Sequence, residues 1–342
     1  MPERPAPRPV TARDVAARAG VSQPTVSLVL GGHPTARLSA ATRARVQRAA
    51  RELGYRPNLA ARGLARGRSY AIGLLVPDLR NPFFADVAGG AQRVAAEEGY
   101  ALLLAEAREI EPGRHLEALR ARQIDGIIVD AVGAADLDPG LLAGLNVVLI
   151  DEPSTRWPGV ASDAAGAGRA AAEHLLGLGH RRLAFMGPAI DVHTFRLRER
   201  GFVAALRARG ILLGSSALRR ARPTVAGGEE AMRALLALRP RPTGVFCAND
   251  LMALGALKAC HRARVRVPDE LSLVGCDDVE LARVVTPELT TVAIPARELG
   301  ARAARMLARQ LDGKGKAPPA SKPLPARLQV RGTTGPAPEA EP

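Results

Sequence analysis

The rhythm of apolar residues changes once along this chain, near residue 70. Before that point they recur three and four apart. Val15, Ala16 and Ala19 form one such set and Val26, Val29 and Leu30 another, each lying on one face of a short helix. Beyond it they arrive as short unbroken runs: AIGLLV (71–76), YALLLA (100–105), DGIIVD (125–130), NVVLID (146–151), RRLAFMG (181–187), TGVFCAND (243–250), LSLVGCDD (271–278) and LTTVAI (289–294). Helical stretches separate them, among them FADVAGGAQRVAAEEG, GAGRAAAEHLLGLG, RERGFVAALRARG and, after the last run, ARELGARAARMLARQL. Continuous apolar strands alternating with helices predict parallel sheets covered on both faces. The fold class expected is an all-α N-terminal headpiece followed by an α/β core of two doubly wound parallel-sheet lobes. RLQVRGTT (327–334) is expected to return to the second lobe as a short strand.

The headpiece carries its own punctuation. Thr11 is placed to cap the first helix with Asp14 reaching back, and Gly20 stops that helix. Ser22 caps the second helix, and Pro24 sits in its first turn, where a missing N–H costs nothing. Gln23, Pro24, Ser27 and Leu28 then look outward, and a helix–turn–helix with such a face suits the DNA major groove. Charge points the same way. Residues 1–70 hold thirteen Arg against Glu3, Asp14 and Glu52, which is +10 of the formal +14. Such concentration is the footprint of a polyanionic partner, because each neutralised phosphate releases a counterion.

Composition narrows the remaining classes. With 342 residues and 3% aromatic content, the core must be built from Leu, Val, Ile and Ala. MPERPAPRP has no apolar segment and no apolar run approaches membrane-spanning length, so a cytoplasmic protein is expected. Cys247, Cys260 and Cys276 read as buried free thiols. The six His (33, 115, 174, 180, 193, 261) show no metal-ligand spacing; His180, after a Gly turn, is expected at the surface. GAGRAA lacks the strand–GxGxxG–helix context of a dinucleotide site, so no cofactor, metal or catalytic set is expected. Polar residues do stand just past the strand runs: Asp78, Asp151, Asn249, Asp250, Asp277 and Asp278. Ligands of doubly wound folds sit there, so these strand ends are expected to converge on one cleft. Asp277 and Asp278, being adjacent, should point to opposite faces.

In order and spacing, TARDVAARAGVSQPTVSLVL, LGYRPNLAARGL, IGLLVPDLRNPFFADVAGG, DGIIV, LGHRRLAFMG, GVFCANDLMALGAL, VPDELSLVGCDD and PELTTVAIP resemble the LacI/GalR family of bacterial transcriptional regulators. The resemblance implies base reading by Gln23, Pro24 and Leu28 and backbone contacts by Thr25 and Ser27, with Thr11 and Ser22 completing the DNA-facing set. Most relatives carry Arg where Leu28 stands, and Leu offers only apolar contact, for instance to a thymine methyl. It also implies a hinge from Asn58 to Arg66, with Ala61 and Leu64 reaching the minor groove beside Arg62. In the core it implies effector contacts by Arg198, Asp151, Asn249 and Asp277, and an apolar wall of Phe83 and Phe84. The family's aromatic platform is missing near Pro223, with Trp157 and Phe195 as candidate substitutes.

The domain organisation expected is a headpiece at 1–57, a hinge helix at 58–69, a two-lobed core at 70–334 and a disordered tail at 335–342. The partners expected are a near-palindromic double-stranded operator, a small-molecule effector of sugar type, and a second copy in a C2 dimer, with no membrane. The rival reading, a solute-binding protein without regulatory role, is opposed by the basic headpiece and by the lack of an export-type segment.

Overall fold

The computed structural model describes residues 10–30, 38–55, 68–107, 112–130, 140, 142–313 and 322–339. The chain divides into two units, residues 1–69 and 70–342.

In the first unit, α1 (Ala12–Ala19) opens on a complete capping box. Asp14 Oδ2 accepts from the Thr11 N–H at 2.7 Å, and Thr11 Oγ1 accepts from the Asp14 N–H. Gly20 closes the helix at φ 64°, a left-handed conformation that costs glycine least. α2 (Gln23–Leu30) follows, and α3 (Ala40–Glu52) begins at the cap Ser39. Val15, Val26 and Val46, each from a different helix, are fully buried and fuse the three into one small core. Arg18 and Glu52 pair on its surface at 2.9 Å.

The second unit holds two sheets. The first runs in the order β2-β1-β3-β4-β5: β1 (Ala71–Val76), β2 (Ala101–Glu106), β3 (Gly126–Asp130), β4 (Asn146–Ile150) and β5 (Gly159–Val160), all parallel. α4 (Pro82–Glu97) and α5 (Pro112–Ala121) belong to this lobe. The second sheet runs β11-β10-β9-β8-β6-β7. It comprises β6 (Leu183–Pro188), β7 (Leu218–Ala221), β8 (Gly244–Cys247), β9 (Ser272–Asp277), β10 (Thr290–Ala293) and β11 (Arg327–Gln329). β11 alone is antiparallel to its neighbour β10, so the expected returning strand is present. Around this sheet lie α6 (Ala164–Gly177), α7 (His193–Arg207), α8 (Val225–Leu236), α9 (Asp250–Arg262) and the short α10 (Leu281–Val284).

α11 (Ala296–Leu311) follows β10 in sequence yet packs on α4 of the first lobe. A Cβ on Gly90 would lie 1.9 Å from the Arg297 carbonyl, and one on Gly300 equally close to that of Val87, so two glycines let these backbones touch. The chain thus passes between the lobes after β5, after β10 and after α11. Two of these passages lie side by side. The Leu324 N–H donates to the Ala161 carbonyl at 2.7 Å and the Asp163 N–H to the Leu324 carbonyl at 2.8 Å.

Two expectations need correction. His180 is fully buried, with Nδ1 3.0 Å from Thr243 Oγ1 and Nε2 3.1 Å from the Gly335 carbonyl. Its Gly turn sends it inward because those partners satisfy both ring nitrogens. Residues 335–339, expected to be disordered, run along the second lobe. The Gly335 N–H donates to Ser272 Oγ and the Ala337 N–H to the Leu178 carbonyl. Backbone bonding holds a segment that has no large apolar residue to bury. The three cysteines are buried and unbridged.

Candidate functional site

In the headpiece, burying Val26 and Val29 turns the opposite face of α2 outward. Ser22, Gln23, Pro24, Ser27 and Leu28 are exposed and Thr25 is partly buried. Ser22 Oγ accepts from the Thr25 N–H, and the two hydroxyls lie 2.9 Å apart, so Ser22 acts as the cap. Gln23 Oε1 accepts from Arg13 Nε at 3.4 Å, a contact with no sequence signal. Thr11 is partly buried and spends its side chain on the capping box. Asn58, Ala61, Arg62 and Leu64 lie outside the described residues, as does Gly31.

In the second unit, the carboxyl ends of strands from both lobes face one cavity. Phe83, Phe84, Asp151, Arg198, Asn249 and Asp277 all line it. Asp151 and Asp277 stand at φ 57° and 125°, conformations that aspartate tolerates better than bulkier residues. α7 delivers Arg198 on its buried stripe, in which Thr194 and Arg198 continue at fourfold spacing into Phe202 and Leu206. The stripe is polar where it meets the cavity and apolar where it meets the core. α6 and α7 cross through glycines: a Cβ on Gly168 would stand 1.9 Å from the Arg198 carbonyl, and one on Gly201 2.0 Å from that of Ala165.

Arg198 Nη2 lies 3.0 Å from Asp277 Oδ1, both side chains about 95% buried, and Nη1 donates to the Ala248 carbonyl. Its guanidinium also stands 5.4 Å over the Phe195 ring. Asp151 accepts from the Ser162 N–H and hydroxyl, which fixes the carboxylate, and its carbonyl accepts from Thr194 Oγ1. Asn249 caps α9 by accepting from the Met252 N–H at 2.9 Å. Phe83 and Phe84 begin α4 edge to face, behind the cap Asn81. Burial pushes Asp277 up to about 7 against the pull of Arg198, and Asp250, bonded to Thr291 and Val279 beneath the cavity, up to about 6. Burial also raises Asp151, against the Ser162 hydrogen bonds.

Asp130, Asn81 and Thr194 line the cavity too and were missed by sequence reasoning; the Asp that ends DGIIVD is a strand-end signal like the others. Asp278 points away, to Arg283 and Arg331. Of the two candidate aromatic substitutes, Phe195 lines the cavity, whereas Trp157 lines a neighbouring pocket behind Asp151. The arrangement is built to bind. It presents a fixed guanidinium, fixed carboxylates and an apolar wall.

Headpiece and cavity together define a class, a DNA-binding transcriptional regulator with a small-molecule-binding core. Residues 11–58 match the model of the bacterial regulatory proteins of the lacI family, and residues 172–334 that of the periplasmic binding protein-like domain. The transcriptional repressor CytR of Escherichia coli K12 is 34% identical over 332 residues, covering 95% of this chain and 96% of its own. Among solved structures, the lac repressor dimer bound to operator and the anti-inducer ONPF superimposes with a TM-score of 0.84 at 28% identity, covering 96% of this chain and all of its own. The CelR–cellobiose complex matches with a TM-score of 0.72 at 31% identity, covering 95% and 99%. The chain belongs to the LacI family of bacterial transcriptional regulators. Likeness that spans headpiece and core together makes it a regulator and removes the solute-binding alternative. Among the described residues no helix is long and apolar enough to cross a membrane.

Proposed function

We propose that this regulator is a homodimeric repressor whose operator affinity is set by a small polar metabolite of sugar type bound between its lobes. The observation that carries the reading is the buried Arg198–Asp277 pair facing an open cavity, since a fold has no need to hold a desolvated ion pair against empty space. Phe83, Phe84, Asp151 and Asn249 complete the effector contacts. The exposed edge of α2, from Ser22 to Leu28, enters the major groove, with Thr11 and Thr25 on the backbone. Asn58, Ala61, Arg62 and Leu64 serve a hinge that reaches the minor groove, where Leu64 wedges a base step. The anti-inducer and cellobiose held by solved relatives support a sugar-sized effector.

The test is selection of bound duplexes from random DNA, followed by titration at two salt concentrations. The full chain should select a near-palindrome and bind it with a steep salt dependence, whereas residues 70–342 alone should select nothing. Equal binding by both would defeat the headpiece assignment. Leu64→Ala should weaken the selected site by a few kcal/mol while sparing random DNA.

A further inference from the structure

The outward edge of α2 is poor in groups able to tell one base from another. Pro24 and Leu28 have no polar side-chain atom, and the Ser22 and Thr25 hydroxyls face each other at 2.9 Å. Ser27 offers an exposed hydroxyl, which serves donor and acceptor bases alike. Discrimination by hydrogen bonding therefore falls on Gln23, the first residue of the helix. Gln23 is exposed, and its side chain is met from α1, ten residues back, where Arg13 Nε stands 3.4 Å from Gln23 Oε1.

A guanidinium only donates, so the amide atom it meets is the oxygen, and the contact fixes which way round the Gln23 amide lies. The carbonyl oxygen turns toward Arg13, and the NH2 is left as the group for a base. Arg13 is itself exposed, and its terminal nitrogens meet no carboxylate among the described residues. The pair thus presents hydrogens only, those of Gln23 Nε2 beside those of the Arg13 guanidinium. A free glutamine reads adenine, accepting from N6 while donating to N7. Gln23 held by Arg13 has its acceptor turned away, and in the major groove guanine alone shows two adjacent acceptors, N7 and O6. We propose that Arg13, on the first helix, decides which base Gln23 reads, and that the pair selects guanine at the base pair facing the start of α2. The proposal rests on the reading of this edge of α2 as the major-groove face.

The experiment is selection from random duplexes by the full chain and by Arg13→Met and Gln23→Ala, followed by titration of the selected site and its single-base variants at two salt concentrations. Both residues are exposed and stand outside the core of Val15, Val26 and Val46, so neither substitution touches the packing. The parent chain should prefer guanine at one position of each half-site by about 5- to 100-fold, the range of a bidentate contact. Gln23→Ala should lose the preference at that position alone. Arg13→Met frees the amide to turn, and the preference should move from guanine toward adenine at the same position. A guanine preference unchanged in Arg13→Met overturns the proposal. So does a loss in that variant that is equal for every sequence and comes with a shallower salt dependence, the mark of a phosphate contact. In both of these cases a position lost in Gln23→Ala keeps the edge of α2 in the groove. A site indifferent to Gln23→Ala and to Leu28→Arg overturns the proposal and the helix-edge reading together.

Discussion

Arg198 on α7 and Asp277 at the end of β9 stand 3.0 Å apart, each side chain about 95% removed from water. Removing one partner of such a pair leaves the other charge buried, which costs about 3–5 kcal/mol. Arg198→Ala should therefore destabilise the chain by that order at neutral pH as well as abolish the response to effector. Arg198→Met combined with Asp277→Leu should recover most of the stability and none of the response. Chemical denaturation and operator titration with and without ligand check both. A double variant as unstable as the single one would place the loss in packing instead.

Stability should fall as pH rises. A carboxyl whose folded value is raised binds its proton more tightly in the native chain, so the native state is disfavoured once pH climbs past the unfolded value. For Asp277, at about 7, and Asp250, at about 6, the loss begins near pH 4, grows through those values and then levels off. The contribution of each is on the order of a few kcal/mol. Melting midpoints measured from pH 5 to pH 8 should decline, and the decline should shrink in Asp250→Asn. A flat profile in the parent chain would contradict the burial of these groups.

Gly168→Ala should disturb effector binding without touching the cavity. Its new Cβ would meet the Arg198 carbonyl at 1.9 Å, and α7 would have to move, at about 1–3 kcal/mol for overpacking. Gly177→Ala, on the same helix, meets nothing within 4 Å and serves as the control. Ligand affinity should drop in the first variant and stay constant in the second; equal affinity in both would show that the crossing does not set the place of Arg198.

Leu28 stands exposed on the face of α2 proposed to enter the major groove. Leu28→Arg should shift the preferred base at the facing position toward guanine, by about 1–3 kcal/mol for a bidentate contact. Repeating the selection with the variant measures this. An unchanged site preference would mean that Leu28 does not face a base.

Much of this was legible because it is encoded within a few residues. Thr11 and Asp14 sit three apart and Gly20 ends their helix, so the capping box and the turn need no distant partner. The eight apolar runs of the core each became a strand for the same reason, with ends displaced by a residue or a few. The two strands that escaped, β5 and β7, are short and lack an apolar run, so pairing rather than pattern makes them.

The sequence by itself determined the parts: a basic capped headpiece, two sets of buried strands, and polar residues at their carboxyl ends. Tertiary structure decided which of those ends meet. Asp277 and Asp278 differ by one residue, yet one faces Arg198 in the cavity and the other pairs with Arg331, where the chain leaves β9 through two successive residues at positive φ, 125° and 56°. Asp130 looked no different from any strand-final aspartate until Asp151, Asp277 and Arg198 were placed around it. α11 carries no mark of the first lobe; two glycines, at positions 90 and 300, let it pack there. His180 reads as a turn residue and becomes a buried anchor for Gly335, 155 positions away. Caps and periodicities are local and show in the sequence. Burial and pairing depend on residues brought together from far apart, and only the folded chain fixes them.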